Sequence, residues 1–124
     1  MQDYHELRVW QKAHALAIAI RKVSRTFPKG GYTRLKMQLV DAAESIPGNI
    51  VEGCGAPTQK EFARFLGISI KSSSETEYWL LLARDHGILR EQTWQYLTDE
   101  VTDVRRMLYG LRTKVLAAED LAAP

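Results

Sequence analysis

The chain has 124 residues, 45% of them apolar and 26% charged, with a formal net charge of +2 and one cysteine. Such a length and composition suit one globular domain, residues 1–124, around a single core. They exclude an internal disulfide, a cysteine metal cluster and, because the longest apolar run is only Ala15 to Ile20, a membrane-spanning helix.

Met1 to Glu6 carries no basic stretch followed by an apolar one, so no signal peptide is expected there and the expected compartment is the reducing cytoplasm. Gly and Pro interrupt the chain at Phe27 to Gly31, at Gly53 to Pro57 and at Gly87, leaving four segments of helical length and no strand-like alternation. The first predicted helix, about 5–27, sets Trp10, Ala13, Ala17, Ile20, Ser24 and Phe27 on one face at alternating three- and four-residue steps. The second, about 33–52, aligns Leu35, Leu39, Ala42, Ile46 and Ile50. Pro47 inside it has no backbone N–H and should kink the helix near Ala43. Thr58 caps the third, about 58–86, with Glu61 completing a capping box, and Gly87 supplies a left-handed stop. The fourth, about 91–117, has the cleanest stripe: Leu97, Val101, Val104, Leu108, Leu111 and Val115. Short connections favour antiparallel neighbours, so the expected fold is all-α, an up-down-up-down four-helix bundle.

Two stretches break the rule of one wet face per surface helix. Ala13 to Ile20 is apolar all round except for His14, and Tyr78 to Ala83 is apolar all round. Helices greasy on every side are usually covered twice, and in a bundle this small the second cover is another copy of the chain. The expectation is a homo-oligomer with Ile18, Tyr78, Trp79 and Leu82 at subunit contacts. A pair of unusually central helices is the other reading.

Charge is distributed unevenly. Between Leu7 and Val40 stand eight Lys or Arg and no Asp or Glu, while the other 90 residues hold nine bases and all fifteen acids. In the expected bundle the first and third connections share one end, crowding Arg21, Lys22, Arg25, Lys29, Arg34 and Lys36 there with Arg84 and Arg90, diluted by Asp85 and Glu91. Helix 2 also begins at that end, offering free amides to phosphate. This is the electrostatic footprint of a polyanion-binding protein. A solvated face that keeps an oligomer soluble is the competing account.

Other polar groups are candidates for chemistry. Gln38, Asp41, Ser45, Asn49 and Glu52 line one side of helix 2, and Ser69, Ser73 and Glu77 share a face of helix 3. Antiparallel pairing should bring Ser45 near Ser69, Gln38 near Ser73 or Glu77, and Arg34 within reach of Glu77. Buried polar groups cost about 1–3 kcal/mol if unpaired, so Ser45, Asn49, Glu52, Ser73 and Glu77 read as a structural polar seam. None of His5, His14 or His86 stands three residues after a Glu, so the di-iron pattern is absent and neither a metal nor another cofactor is expected. No catalytic residue is assigned: Glu52 and Glu77 have no nucleophile or partner histidine, and nothing within five positions of Cys54 would activate its thiol. His86 fits a helix C-terminus, Ser24 can bond back to the helix carbonyl four residues earlier, and Trp10 and Trp94 read as core while Trp79 reads as interface.

Several segments together carry a family resemblance: Leu7 to Ala13, Ser45 to Gly53 with its Ile-Pro-Gly-Asn-Ile-Val-Glu-Gly core, Lys60 to Leu66 and Ser72 to Glu77. From Leu7 to about Leu111 the chain resembles the bacterial four-helix-bundle family encoded in intervening sequences of 23S rRNA genes. That family is similar in fold to the accessory variability protein of diversity-generating retroelements. The resemblance implies a cytoplasmic, non-enzymatic homopentamer with nucleic-acid contact through basic surface. Two departures stand out: Gly48 replaces an expected Ser, which should loosen the turn after Pro47, and Lys71 replaces a common Gly.

The favoured function is therefore an oligomer that holds structured RNA, or a ribonucleoprotein, by salt-dependent phosphate contacts. No aromatic-interleaved RNA motif or helix-turn-helix supports base-specific readout. The alternative is a protein-binding scaffold ring without nucleic-acid affinity.

Overall fold

The computed structural model describes residues 2–122, the side chains of residues 120–122 excepted. Among these the chain forms a 3-10 turn at Tyr4–Glu6 and four helices, α1 (Arg8–Ser24), α2 (Thr33–Cys54), α3 (Gln59–Asp85) and α4 (Glu91–Ala122), with no strand. Each helix packs on its neighbours in sequence, and α1 closes the bundle on α4, while among the described residues the backbones of the diagonal pairs α1/α3 and α2/α4 make no close approach.

Helix boundaries follow local chemistry. The first predicted helix is two elements, because Leu7 is extended (φ −78°, ψ 118°) and Asp3 caps the 3-10 turn by accepting from the His5 amide. At its far end α1 stops at Ser24, and Phe27 is buried from the following turn instead of extending the helix. Thr58 accepts the Glu61 amide at 3.1 Å, while the Glu61 carboxylate turns to Arg64, so half of the anticipated capping box forms. Gly87 takes φ +76°, a left-handed value that halts α3 behind His86. Helix α2 runs unbroken through Pro47.

One hydrophobic cluster fills the bundle, built from the predicted stripes: Ala13 and Ile20 of α1, Leu39, Ile46 and Ile50 of α2, Leu66 and Leu80 of α3, and Leu97, Val101, Val104 and Leu108 of α4. The closest approach is α2 on α3. A Cβ at Gly53 would stand 2.8 Å from Phe62 Cδ1 and 3.1 Å from Phe65 Cβ. Small residues continue along this contact, where Ser69, Ser72, Ser73 and Thr76 are buried.

Candidate nucleic-acid interface

The connection between α1 and α2 collects most of the front-third cations at one end of the bundle. Lys22 and Arg25, three apart on α1, project on one side. Lys29 stands in the connection. Arg34 and Lys36 flank the buried Leu35 at the start of α2, and a two-residue separation on a helix sends them to opposite sides. All five are exposed. None makes an ion pair among the described residues.

Arg21 behaves differently. Its Nε donates to Glu44 Oε2 at 2.7 Å and its Nη2 to Oε1 at 3.1 Å. That fork holds the Glu44 carboxyl below its ordinary pKa and raises that of Arg21. The expected grouping of six cations is thus five, with Arg21 committed to α2. Lys12 is likewise neutralised, by Glu100 at 3.1 Å and by Asp103, where it ties α1 to α4.

The start of α2 is electrostatically unfavourable in isolation. Tyr32 provides no side-chain cap, and no acid lies in the first turn, where Arg34 and Lys36 meet the positive end of the helix dipole. Helices α3 and α4 instead open on Glu61 and Glu91. Helix α1, at the opposite end, likewise starts without a side-chain cap or an acid in its first turn, but among the described residues no cluster of cations surrounds it. Across the rim, Arg84 donates to Asp85 at 2.9–3.0 Å and stacks over Trp94 at 4.2 Å, whereas Arg90 is exposed and outside any ion pair among the described residues. His86 packs its ring edge on Tyr32.

The polar seam forms with different partners from those anticipated. Ser45 Oγ meets Ser72 Oγ at 2.8 Å, not Ser69, and the Asn49 amide donates to both Ser45 Oγ and the Ser45 carbonyl at 2.9 Å. Ser69 instead donates to the Ile46 carbonyl at 2.9 Å. Ser73 and Thr76 bond back to Ile70 and Ser72 within α3, and Ser24 bonds Arg21 three residues back, not four. Glu77 leaves the seam for α4, accepting from Arg105 Nη2 at 2.6 Å, so Arg34 is not its partner. Glu52, Gln38 and Asp41 face solvent. Hydroxyls here satisfy backbone or one another because α2 and α3 approach too closely for a longer side chain.

Of the anticipated contact residues, Ile18 is 45% and Tyr78 53% exposed, while Trp79 and Leu82 are half-buried against the core. Ile18 lines a groove between α1 and α2, and Tyr78 one between α3 and α4, so the four do not form a single patch. Trp10 is also half-buried, with the rings of Tyr4, His5 and His14 packed on it. The structure adds Tyr96, 60% exposed between α1 and α4, which the stripe reading of α4 missed. Cys54 is buried at the end of α2, and burial pushes its thiol pKa up. Among the described residues no three His, Cys, Asp or Glu side chains gather as metal ligands, and no helix is long and apolar enough to cross a membrane.

The model of the 23S rRNA-intervening sequence protein family matches residues 5–110. A solved structure, a protein of unknown function from the S23 ribosomal protein family of Bacteroides thetaiotaomicron VPI-5482, superposes with a TM-score of 0.79 at 23% identity. The alignment covers 84% of this chain and 97% of that one, a likeness of fold. No curated protein matches.

Proposed function

The chain belongs to the 23S rRNA-intervening sequence protein family, and from that premise we propose that it is a non-enzymatic, cytoplasmic oligomer that binds structured RNA through its α1–α2 rim. The observation that carries this reading is the start of α2. Among the described residues Lys22, Arg25, Lys29, Arg34 and Lys36 have no carboxylate partner, around a helix N-terminus with no side-chain cap and no acid in its first turn. Helices α3 and α4 place an acid in their first turns, where it complements the helix dipole, and α2 places Arg34 and Lys36 there instead. An RNA phosphate supplies the missing negative charge and acceptors.

Two exposed aromatic patches favour self-association, which fits the same reading. A closed ring needs two different patches on each protomer, and Tyr78 and Tyr96, both more than half exposed, lie on opposite flanks of α4. Leu81 and Trp94 share the Tyr78 groove, and five copies are what the family resemblance implies. Repeating the rim around a ring multiplies a weak phosphate contact by avidity.

Filter retention of a structured rRNA fragment tests the proposal. The variant Lys22→Glu/Arg25→Glu/Lys36→Glu should lose retention while its mass by light scattering stays that of the parent. Undiminished retention sinks the RNA reading, and specific recovery of a protein partner insensitive to these changes would favour a scaffold.

A further inference from the structure

The α1–α2 groove, about 400 Å³ in volume, carries features that phosphate binding at the rim does not use. The 3-10 turn folds Tyr4 and His5 edge-on against Trp10, with ring centroids 4.9 and 5.7 Å away. One helical turn further on, His14 lies flat on the indole, 4.8 Å away with the planes 11° apart. His14 is exposed and lines the groove at the end of the stack. Next along α1 comes the exposed Ile18, then Lys22 and Arg25. At a rise of 1.5 Å per residue, His14 and Lys22 stand about 12 Å apart on the helix, which a nucleotide and an extended lysine side chain together bridge.

On the facing wall is Gly48, where a Cβ would meet nothing within 4 Å. Among the charged groups lining the groove, Arg21, Lys22 and Arg25 outnumber the single acid Glu44. The order of chemistry is ring stack, apolar floor, unpaired cations. An unpaired nucleotide has the complementary order, a flat base with a free π face followed by an anionic phosphate. A duplex keeps its bases stacked on one another and cannot present one to His14.

We infer that the α1–α2 groove takes an unpaired nucleotide of the bound RNA, its base against the exposed ring of His14 above Ile18 and its phosphate on Lys22 and Arg25. The inference rests on the RNA-binding reading and narrows it to RNA with loops or bulges. Stacking of this kind tolerates any base, so it implies no sequence preference.

The test fills the groove without touching a cation or a ring. Gly48→Leu projects a side chain into the open space and replaces glycine by a better helix former, so folding is not at risk. Retention of a hairpin RNA with an unpaired loop and of a fully paired RNA with the same number of phosphates is compared for the parent, Gly48→Ser and Gly48→Leu at one salt concentration. Gly48→Leu should weaken the loop RNA about fivefold or more, the loss of one stacked base, and leave the duplex unchanged. Gly48→Ser, too short to fill the groove, should match the parent. Equal losses on both RNAs, or none on the loop RNA, overturn the groove assignment and leave phosphate binding standing. A changed oligomer mass for Gly48→Leu also overturns it, because the groove would then be a subunit contact. If the parent retains neither RNA, the groove and the reading beneath it both fall.

Discussion

Replacing glycine by alanine at two points of α2 should move stability in opposite directions. At Gly48 the new methyl meets nothing within 4 Å, so the change only removes backbone freedom from a helix interior, a gain of about 0.5–1 kcal/mol. At Gly53 the methyl would stand 2.8 Å from Phe62 Cδ1 and 3.3 Å from Cε1. Phe62 is buried and Phe65 Cβ blocks retreat at 3.1 Å, so the helices must separate. Overpacking of this kind costs about 1–3 kcal/mol. The propensity gain is smaller here, one residue before the end of α2, so the net loss should be about 0.5–2 kcal/mol. Urea denaturation at one protein concentration reads both changes as shifts of the midpoint at unchanged slope. Movement of both midpoints in the same direction would refute the close α2–α3 approach on which the account of the small-residue seam depends.

Three further outcomes follow from single contacts. Glu44→Gln releases Arg21 from its fork, so RNA retention should rise and the dependence of log affinity on log salt should steepen by up to about 1. Thr98→Val should stabilise by about 1 kcal/mol in thermal unfolding, because Thr98 Oγ1 is buried without a hydrogen-bond partner. The Lys12–Asp103 hydrogen bond lowers the Asp103 pKa and raises that of Lys12. Its contribution is therefore present at neutral pH, lost as pH falls through the depressed Asp103 value and lost as pH rises through the elevated Lys12 value. Lys12→Met should accordingly be destabilised relative to the parent at pH 7 and indistinguishable from it at strongly acid pH, by urea midpoints in matched buffers.

The elements that repeat a pattern over many residues were legible. The α4 stripe from Leu97 to Val115 is buried as its period predicts, apart from the half-buried Leu111, and Thr58 and Gly87 bound α3 as their chemistry requires. What escaped depends on distances between helices. Ser45 meets Ser72, about one turn along α3 from the expected Ser69, because the tight contact at Gly53 and Phe62 sets the register and no periodicity within either helix encodes it. The cations were identifiable but not their partners: Glu44 lies on the far side of a turn from Arg21, and nothing local marks it as the acceptor. The Tyr4, His5, Trp10 and His14 cluster was hidden because Leu7 breaks the helix and folds the 3-10 turn back.

The withdrawal of Arg21 sharpens the electrostatic argument. Had Lys22, Arg25, Arg34 and Lys36 been paired as Arg21 is, the rim would be a neutral surface held by ion pairs worth little individually. Among the described residues they are instead unpaired, two of them at the helix end where a cation is least favourable. In the proposed function this local conflict is stability traded for a phosphate ligand.

A salt titration of RNA affinity addresses that trade directly. Filter binding of the parent to a structured rRNA fragment over a range of salt concentrations should give log affinity falling linearly with log salt, and the slope should shrink by about 1 for each of Lys22, Arg25 and Arg34 exchanged for Gln. An affinity indifferent to salt, or a slope that these exchanges leave unchanged, would contradict the assignment of the α1–α2 rim as the phosphate-binding surface.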